Sequence, residues 1–392
     1  ESIKDTYNAF MKNVFNNRQL AIKITANSLY GQCGARTSAF YEKDIAASTT
    51  ATGRKLLSYG KEIIEGVYGD RICETKKHGM VKSNAKVVYG DTDSCFMCFY
   101  LEDLEGNPIK GKKALEITID LAVEVGELSS KFLKDPHDLE YEKTFDPFLL
   151  LSKKRYVGML YEFNINKCKR KSMGIVLKRR DNAPIVKDVY GGIIDILMGE
   201  RDVPKAIRFT KQSLQDIVDE KYPLDKLIIT KSLRGFYKNP ESIAHKVLAD
   251  RMAERDPGNK PSPGSRIPFV YIQTKGKAKL QGDKIETPSF IIKNKIRPDY
   301  SFYITNQIQK PVQQVFALLL DQIPEFKPKL KALRRQERSI AREFKDNPKK
   351  TKDKIDKIRN KAVKEIVFQD ALRQAINIKN ANKSITSFFK RS

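Results

Sequence analysis

The feature that most constrains the fold of this chain is a short polar segment between two apolar runs, within residues 86–97. Residues 87–89 and 95–100 have the composition of β-strands, and the intervening Gly-Asp-Thr-Asp predicts a tight turn. Asp91 and Asp93 therefore share a hairpin tip, where charges about 4 Å apart repel by about 4 kcal/mol at an effective dielectric constant of about 20. A solvated turn is the simplest explanation. The alternative is Mg²⁺ held by the carboxylates and by substrate phosphates, as in phosphoryl-transfer sites.

The composition favours a polyanionic partner and a reducing compartment. The 392 residues include 74 Lys and Arg against 48 Asp and Glu, a net charge of +26, which indicates nucleic acid first and an anionic membrane second. No run of about 18 apolar residues occurs, so no membrane span is predicted. Five scattered cysteines are typical of an intracellular protein. Cys95 and Cys98 have the spacing of a zinc knuckle, but in a strand they face opposite sides and no second pair completes a site.

Residues 1–30 have the apolar periodicity of a helix that would end near Gly31. Lys23, Asn27 and Tyr30 are spaced i, i+4, i+7 and would share one face. Such a face is either a solvated stripe or a binding surface. Residues 44–68 predict a second helix, in which Arg54 is a weak candidate for a substrate contact.

The segment Lys153-Lys-Arg-Tyr156 lies between two apolar runs and predicts a strand. Alternation would place Lys153 and Arg155 on one face and Lys154 and Tyr156 on the other. The strand is either a charged edge that resists aggregation or a surface that follows phosphates and touches a duplex groove.

The remaining periodicity predicts an α+β chain. Helices are expected at residues 115–132, 186–200, 203–220 and up to about residue 320, with strands at 139–144, 267–273 and 290–293. Asp181 is expected to pair with a neighbouring arginine. Residues 327–364 carry 16 Lys and Arg against 5 Asp and Glu, which indicates either a solvated helical hairpin or an added grip on duplex DNA.

Several motifs, in order, resemble family B DNA polymerases of the delta type, in the kind of enzyme carried by large DNA viruses. They include Lys-Ile-Thr-Ala-Asn-Ser-Leu-Tyr-Gly (residues 23–31), Tyr-Gly-Asp-Thr-Asp-Ser (89–94) and Lys-Lys-Arg-Tyr (153–156). The resemblance implies that Asp93 is the main ligand of two Mg²⁺ ions and Asp91 a weaker one. It implies that the incoming nucleotide is met by Lys23, Asn27, Tyr30 and Gly31. DNA contacts would come from Lys153, Lys154, Arg155, Tyr156, Arg179, Arg180, Lys231, His245 and Arg251.

The resemblance also implies a right-hand architecture with an antiparallel palm sheet. Residues 1–40 would be the end of the fingers, 41–215 an incomplete palm, 216–325 a mainly helical thumb, 326–378 a basic helical extension and 379–392 a tail. The tail residues Asn382, Ile385, Phe388 and Phe389 resemble a motif that binds sliding clamps, with Asn where Gln is usual. A tail folded back onto the thumb is an equal alternative.

The implied function is template-directed DNA synthesis by the C-terminal half of a replicative polymerase, in the nucleus or at a viral replication site. The first palm aspartate motif is not found in these residues, and the chain begins with Glu1, so the isolated chain is expected to be an inactive piece that needs its N-terminal exonuclease and palm half. The implied partners are primer–template DNA, deoxynucleoside triphosphates and the clamp. A non-catalytic DNA-binding subunit and one half of a split polymerase are the alternatives.

Overall fold

The computed structural model describes residues 8–179, 181–274 and 280–379. The chain divides into two compact units. The first comprises Glu1–Asp146 and Leu160–Lys169, and the second Pro147–Met159 and Arg170–Ser392. Both mix helices with small sheets, and four strand pairs in the described part of the chain are antiparallel, which confirms the α+β class. The finer domain boundaries from the sequence stay predictions.

The first unit contains long helices and two β-hairpins. In chain order these are α1 (Ala9–Gly34), α2 (Lys43–Tyr68), β1 (Arg71–Thr75), β2 (Gly79–Ser83), β3 (Lys86–Asp91), β4 (Ser94–Cys98) and α3 (Gly111–Phe132). The pairs are β1 with β2 and β3 with β4. Asn8 caps α1 by accepting a hydrogen bond from the backbone N–H of Met11 (3.0 Å). The helix continues past Gly31, the predicted stop, to Gly34.

The core of the first unit lies between the C-terminal half of α2, the hairpins and α3. Its members share nearly complete burial and are Ile64, Tyr68, Val81, Ala85, Phe99, Leu101, Ile117, Leu121 and Val125. In contrast, α1 has no buried residue. The helix predicted there is confirmed over Ala9–Gly34, but its apolar side chains are covered by no core within the described residues.

A three-stranded sheet of order β5-β6-β7 is formed by β5 (Thr144–Ser152), β6 (Arg155–Tyr161) and β7 (Cys168–Met173). Only Lys153 and Lys154 separate β5 from β6, and Lys154 has φ +61°. These two lysines therefore form a turn, and the prediction of one strand through residues 153–156 with alternating faces is wrong. The two flanking apolar runs are separate strands, and a two-residue connection folds them into a hairpin.

The second unit is mainly helical. Its elements are α4 (Pro184–Asp195), α5 (Val203–Val218), β8 (Ile229–Ser232), α6 (Ala244–Arg255), β9 (Arg266–Tyr271), β10 (Ile285–Glu286), α7 (Pro288–Lys293), α8 (Tyr300–Phe302), α9 (Gln309–Leu318), α10 (Lys327–Glu343), α11 (Pro348–Val363) and α12 (Gln369–Lys379). The strands form a sheet of order β10-β9-β8. One large core joins α4, α5, β9, α9 and α12, with Tyr190, Tyr303, Phe316 and Phe368 among its largest buried side chains.

Two strand predictions are wrong in this structure. Residues 139–143 are irregular, and the strand begins at Thr144. Residues 290–293 lie in α7, because Pro288 opens a helical turn and Thr287 caps it by accepting a hydrogen bond from the backbone N–H of Phe290 (3.4 Å). The apolar run Phe-Ile-Ile is too short for its periodicity to separate the two structures.

Candidate functional site

The acidic hairpin forms as predicted, from β3 and β4. Asp91 pairs with Ser94 across the turn, and Thr92 between them has φ +63°. A β-branched residue seldom adopts this left-handed conformation, and strain of this kind concentrates at functional sites. The backbone N–H of Asp93 donates to the carbonyl of Asp91 (2.8 Å), and the Ser94 hydroxyl donates to the same carbonyl (3.1 Å), so the turn is firmly closed.

The two hairpin carboxylates differ in what holds them. Asp91 is half-buried, and its carboxylate accepts hydrogen bonds from the Tyr89 hydroxyl (3.0 Å) and the Thr92 hydroxyl (3.1 Å). The carboxylate of Asp93 is exposed and accepts no hydrogen bond from any described residue. Both of its oxygens are therefore available to a ligand. Tyr89, which orients Asp91, is a supporting residue that the sequence did not single out.

A carboxylate pair fits Mg²⁺, which binds through one or two carboxylates and completes its coordination with water and phosphates. Nowhere in the described ranges do three His, Cys, Asp or Glu side chains form a group that could hold a metal ion. The hairpin can therefore supply part of a coordination shell, and substrate or further carboxylates would have to supply the rest.

The helix face predicted to bind nucleotide lies on α1. Lys23 and Asn27 are exposed there, and Tyr30 is 48% exposed. The Thr50 hydroxyl on α2 donates a hydrogen bond to the Ala46 carbonyl (2.8 Å). Because its one proton is used there, it accepts a hydrogen bond from the Tyr30 hydroxyl (3.1 Å). A Cβ at Gly31 would meet no atom within 4 Å, so packing does not require glycine there. The Lys23 ammonium group and the Asn27 amide are therefore exposed on the same helix as the Tyr30 ring, whose hydroxyl is held by its hydrogen bond to Thr50.

The Lys-Lys-Arg-Tyr segment sits at the β5–β6 turn in the second unit. Lys153 and Lys154 are exposed, Arg155 is partly buried, and Tyr156 is buried with its ring 5.5 Å from that of Phe148. Gly174 has φ +58°, and a Cβ there would lie 2.3 Å from the Lys154 carbonyl oxygen. Glycine is therefore required at position 174 to let the backbone after β7 pass the turn, a role the sequence analysis missed.

Two of the predicted DNA contacts share one carboxylate. Arg179 donates two hydrogen bonds to Asp181 (3.1 and 3.0 Å), and Lys231 on β8 donates a third (3.2 Å). The bonds from Arg179, and then that from Lys231, hold the pKa of Asp181 well below its usual range against the opposing effect of burial. The expected pairing of Asp181 with an arginine is confirmed. Arg180 lies outside the described residues.

His245 and Arg251, both on α6, make internal contacts. A hydrogen bond joins His245 Nε2 to the Tyr237 hydroxyl (3.0 Å), and burial, followed by the charge of Lys231, lowers the pKa of His245. Arg251 donates to the Ile285 carbonyl (2.6 Å) and lies 3.2 Å from Glu286. These contacts account for the two residues structurally, and their assignment to DNA stays a prediction.

The sequence did not reveal the buried centre around Glu286. Its side chain is 6% exposed, and Arg255 donates two hydrogen bonds to it at 3.0 Å each. The guanidinium of Arg255 also stacks 3.8 Å from the centre of the Phe290 ring. A single Glu before Thr-Pro carries no pattern that predicts burial, so only the fold identifies it.

Two remaining expectations concern the tail and the membrane. The predicted clamp-binding residues Asn382, Ile385, Phe388 and Phe389 lie outside the described residues. No helix in the described part of the chain is long and apolar enough to cross a membrane.

Comparison with known proteins gives a consistent result. The sequence model of DNA polymerase family B matches residues 1–319. The DNA polymerase of Pyramimonas orientalis virus is 50% identical over 388 residues, which are 98% of this chain and 31% of the viral protein. The DNA polymerase delta catalytic subunit of Candida albicans is 37% identical over 320 residues, 81% of this chain and 29% of that protein. The chain thus spans less than a third of the length of these curated relatives.

A solved structure shares the fold. The family B DNA polymerase from the hyperthermophilic archaeon Pyrobaculum calidifontis matches 80% of this chain and 35% of its own, with a TM-score of 0.52 and 22% sequence identity. At this identity the likeness concerns the fold alone.

Proposed function

The chain belongs to DNA polymerase family B, as its motifs predicted, and from this membership we propose that it takes part in template-directed DNA synthesis. The proposed reaction transfers a deoxynucleotide to a primer 3′ end and releases pyrophosphate. Because the chain spans less than a third of its relatives, we assign the activity to a longer polypeptide that contains these residues. Its proposed site of action is the nucleus or a viral replication site.

One observation supports the assignment of roles at the acidic hairpin. Asp91 is already held by Tyr89 and Thr92, whereas the carboxylate of Asp93 is exposed and accepts no hydrogen bond from a residue that the structure describes. Asp93 is therefore the proposed main ligand of two Mg²⁺ ions and Asp91 the weaker or outer one. When bound, such ions lower the barrier to attack by the primer hydroxyl and neutralise charge on the leaving group.

The proposed substrate contacts divide between the two units. In the first unit Lys23 offers a point charge to the triphosphate, Asn27 lies one turn further along α1, and Tyr30, held by Thr50, offers a fixed ring to the nascent base pair. In the second unit the exposed Lys153 and Lys154 at the β5–β6 turn would meet duplex phosphates. The proposed palm, fingers and thumb assignments rest on the same family membership.

The test compares amide substitutions in a longer polypeptide that extends primers. We expect Asp93→Asn to reduce single-turnover nucleotide insertion by about three orders of magnitude or more, since it removes metal ligation, with the dissociation constant for primer–template nearly unchanged. Asp91→Asn should cost less, because part of its carboxylate serves the hairpin.

A matched control is Asp138→Asn, the same change at an exposed residue of the first unit that is outside the hairpin. The assignment fails if Asp91→Asn is the more damaging change, or if Asp93→Asn behaves like the control. The second outcome would favour a non-catalytic DNA-binding subunit. The 392-residue chain alone should bind primer–template without extending it, and extension that disappears in Asp93→Ala would contradict this.

We further propose that the tail binds a sliding clamp, which would raise processivity through effective concentration. Ile385, Phe388 and Phe389 have the spacing of an apolar plug on one helical turn. A peptide of residues 378–392 should bind the cognate clamp with a micromolar dissociation constant, about −8 kcal/mol, and lose that binding when both phenylalanines are replaced by Ala. Equal processivity with and without the tail in a clamp-loaded assay would contradict the proposal.

A further inference from the structure

The helical hairpin of the second unit that follows the family match has an unusual charge. This segment, residues 327–364, is called the basic hairpin here, and it contains α10 and α11 joined by a short turn. It carries 16 Lys and Arg against 5 Asp and Glu. The sequence model of the family ends at residue 319 and therefore does not cover the basic hairpin.

Nearly all of these cations face solvent. Fifteen of the 16 are exposed, and the remaining one, Arg359, is partly buried and pairs with Glu337. The helices attach to the core through a narrow apolar seam that includes Leu330, Leu333 and Ile358. The seam explains why the hairpin folds, but it leaves the charge of the outer faces without a structural purpose.

Four lysines of α11, together with Lys364 directly after it, form a continuous row. Lys350, Lys354, Lys357, Lys361 and Lys364 follow the spacing i, i+4, i+7, i+11, i+14, so they lie on one face, and this row is called the lysine stripe. The stripe is roughly 21 Å long at a rise of about 1.5 Å per residue. None of its lysines forms a salt bridge among the described residues. Like charges at this spacing repel, so the lysine stripe destabilises its helix when no anion is bound. A bound polyanion would neutralise these charges and remove the repulsion.

The same surface lacks the groups that other anionic partners require. Within the basic hairpin the only aromatic residue is Phe344, and the ammonium groups of Lys350 and Lys354 lie 4.3 and 5.7 Å from the centre of its ring. No stacking platform for unpaired bases is therefore present. No large apolar side chain of the basic hairpin is exposed, which removes the usual anchor of a membrane-binding helix.

We propose that the basic hairpin is a sequence-independent binding surface for the phosphate backbone of double-stranded DNA, contacted through the lysine stripe. A duplex carries one phosphate charge per about 1.7 Å of axis when both strands are counted, so a duplex segment as long as this row carries about 12 phosphates. The choice of DNA as the polyanion rests on the proposed function, but the binding itself requires neither a primer end nor catalysis.

The test measures binding of the 392-residue chain to a blunt 30-base-pair duplex by fluorescence anisotropy over a range of KCl concentrations. The variant replaces all five residues of the lysine stripe with Gln. If each lysine neutralises one phosphate, the slope of log K against log salt should become shallower by about 4.5, and affinity should fall at least tenfold at the lowest salt concentration used. Replacing the five residues with Arg should restore both quantities.

The matched control removes the same charge from exposed lysines of the first unit, by Gln substitution at Lys76, Lys77, Lys110, Lys113 and Lys131. Equal losses in the control and the stripe variant would overturn the proposal, because net charge alone would then explain binding. An unchanged salt slope in the stripe variant would also overturn it. Circular dichroism checks folding, and Lys357→Gln with Lys361→Gln provides a milder variant with an expected slope change of about 2.

A second experiment with lipid vesicles distinguishes duplex DNA from an anionic membrane as the partner of the lysine stripe. Phosphatidylserine vesicles should bind the stripe variant and the control variant equally, because both have lost five positive charges. Loss of vesicle binding with duplex binding unchanged would overturn the proposal in favour of a membrane surface. Failure of the polymerase assay would leave these binding results intact, because the duplex has no primer end.

Discussion

The acidic hairpin of the first unit and the Glu286 centre of the second use the same chemical group in opposite ways. Asp93 is exposed, and its carboxylate accepts no hydrogen bond from a described residue. Glu286 is buried, and Arg251 and Arg255 surround its carboxylate. A carboxylate whose oxygens are satisfied internally stabilises the fold, whereas a carboxylate left to solvent can bind a ligand. Asp181 lies between these extremes, since it is partly exposed and bound by Arg179 and Lys231.

The positively charged side chains also divide into those that are bonded inside the fold and those that are exposed to solvent. Arg251 and Arg255 serve the interior of the second unit, while Lys23 on α1 and the lysine stripe on α11 remain exposed. Residue type alone would have grouped all of these as nucleic-acid contacts. What separates them is whether the fold supplies a carboxylate or carbonyl partner at hydrogen-bonding distance.

The largest expected effect on stability comes from the buried centre. Glu286→Gln removes the charge that Arg251 and Arg255 share and should lower the free energy of unfolding by about 3 kcal/mol, because two guanidinium groups lose their compensating anion. Urea unfolding measures the loss. The control Glu254→Gln, at an exposed position of α6, should change it by less than about 0.5 kcal/mol. Equal effects of the two changes would mean that burial does not distinguish these carboxylates.

A smaller, pH-dependent effect is expected at Asp181. Its pKa is lowered in the folded state, so its stabilising contribution is present above the unfolded pKa of about 3.9 and is lost as the pH falls further. Asp181→Asn should cost about 1 kcal/mol at neutral pH, since Arg179 is largely exposed and the pair is screened by solvent.

The check on Asp181 is urea unfolding of wild type and variant between pH 3 and pH 7. The difference in unfolding free energy should be constant above about pH 5 and shrink below about pH 4. A difference that grows on acidification would have the wrong sign for a carboxylate that is stabilised in its charged form.

The smallest expected effect is at the contact between α1 and α2. Tyr30→Phe removes the hydrogen bond to Thr50 and should cost about 0.5 kcal/mol, because the exposed hydroxyl regains bonds to water. Tyr41→Phe is the matched control, since the Tyr41 hydroxyl makes no hydrogen bond within the described residues. A loss above about 2 kcal/mol for Tyr30→Phe would show that this exposed contact behaves like the buried ones.

Local patterns predicted the elements whose signals are complete in a short stretch of chain. The hairpin at Asp91 and Asp93 follows from two apolar runs around a turn, and α1, α2 and α3 follow from sustained helical periodicity. Family membership likewise followed from short motifs. The turn at Lys153-Lys154 was missed because two lysines between apolar runs suit either a charged strand or a hairpin connection. The short run at residues 290–293 was missed because four residues do not establish a period.

The sequence by itself determined the charge, the class of fold, the family and the residues that could carry chemistry. The tertiary structure decided which of those residues are already satisfied, because that depends on partners far apart in the chain. Asp181 meets Lys231 across 50 positions, and Arg255 meets Glu286 across 31. The family resemblance already assigned Asp91 and Asp93 different roles, but the contacts that distinguish them form only when the hairpin closes and brings the hydroxyls of Tyr89 and Thr92 to Asp91.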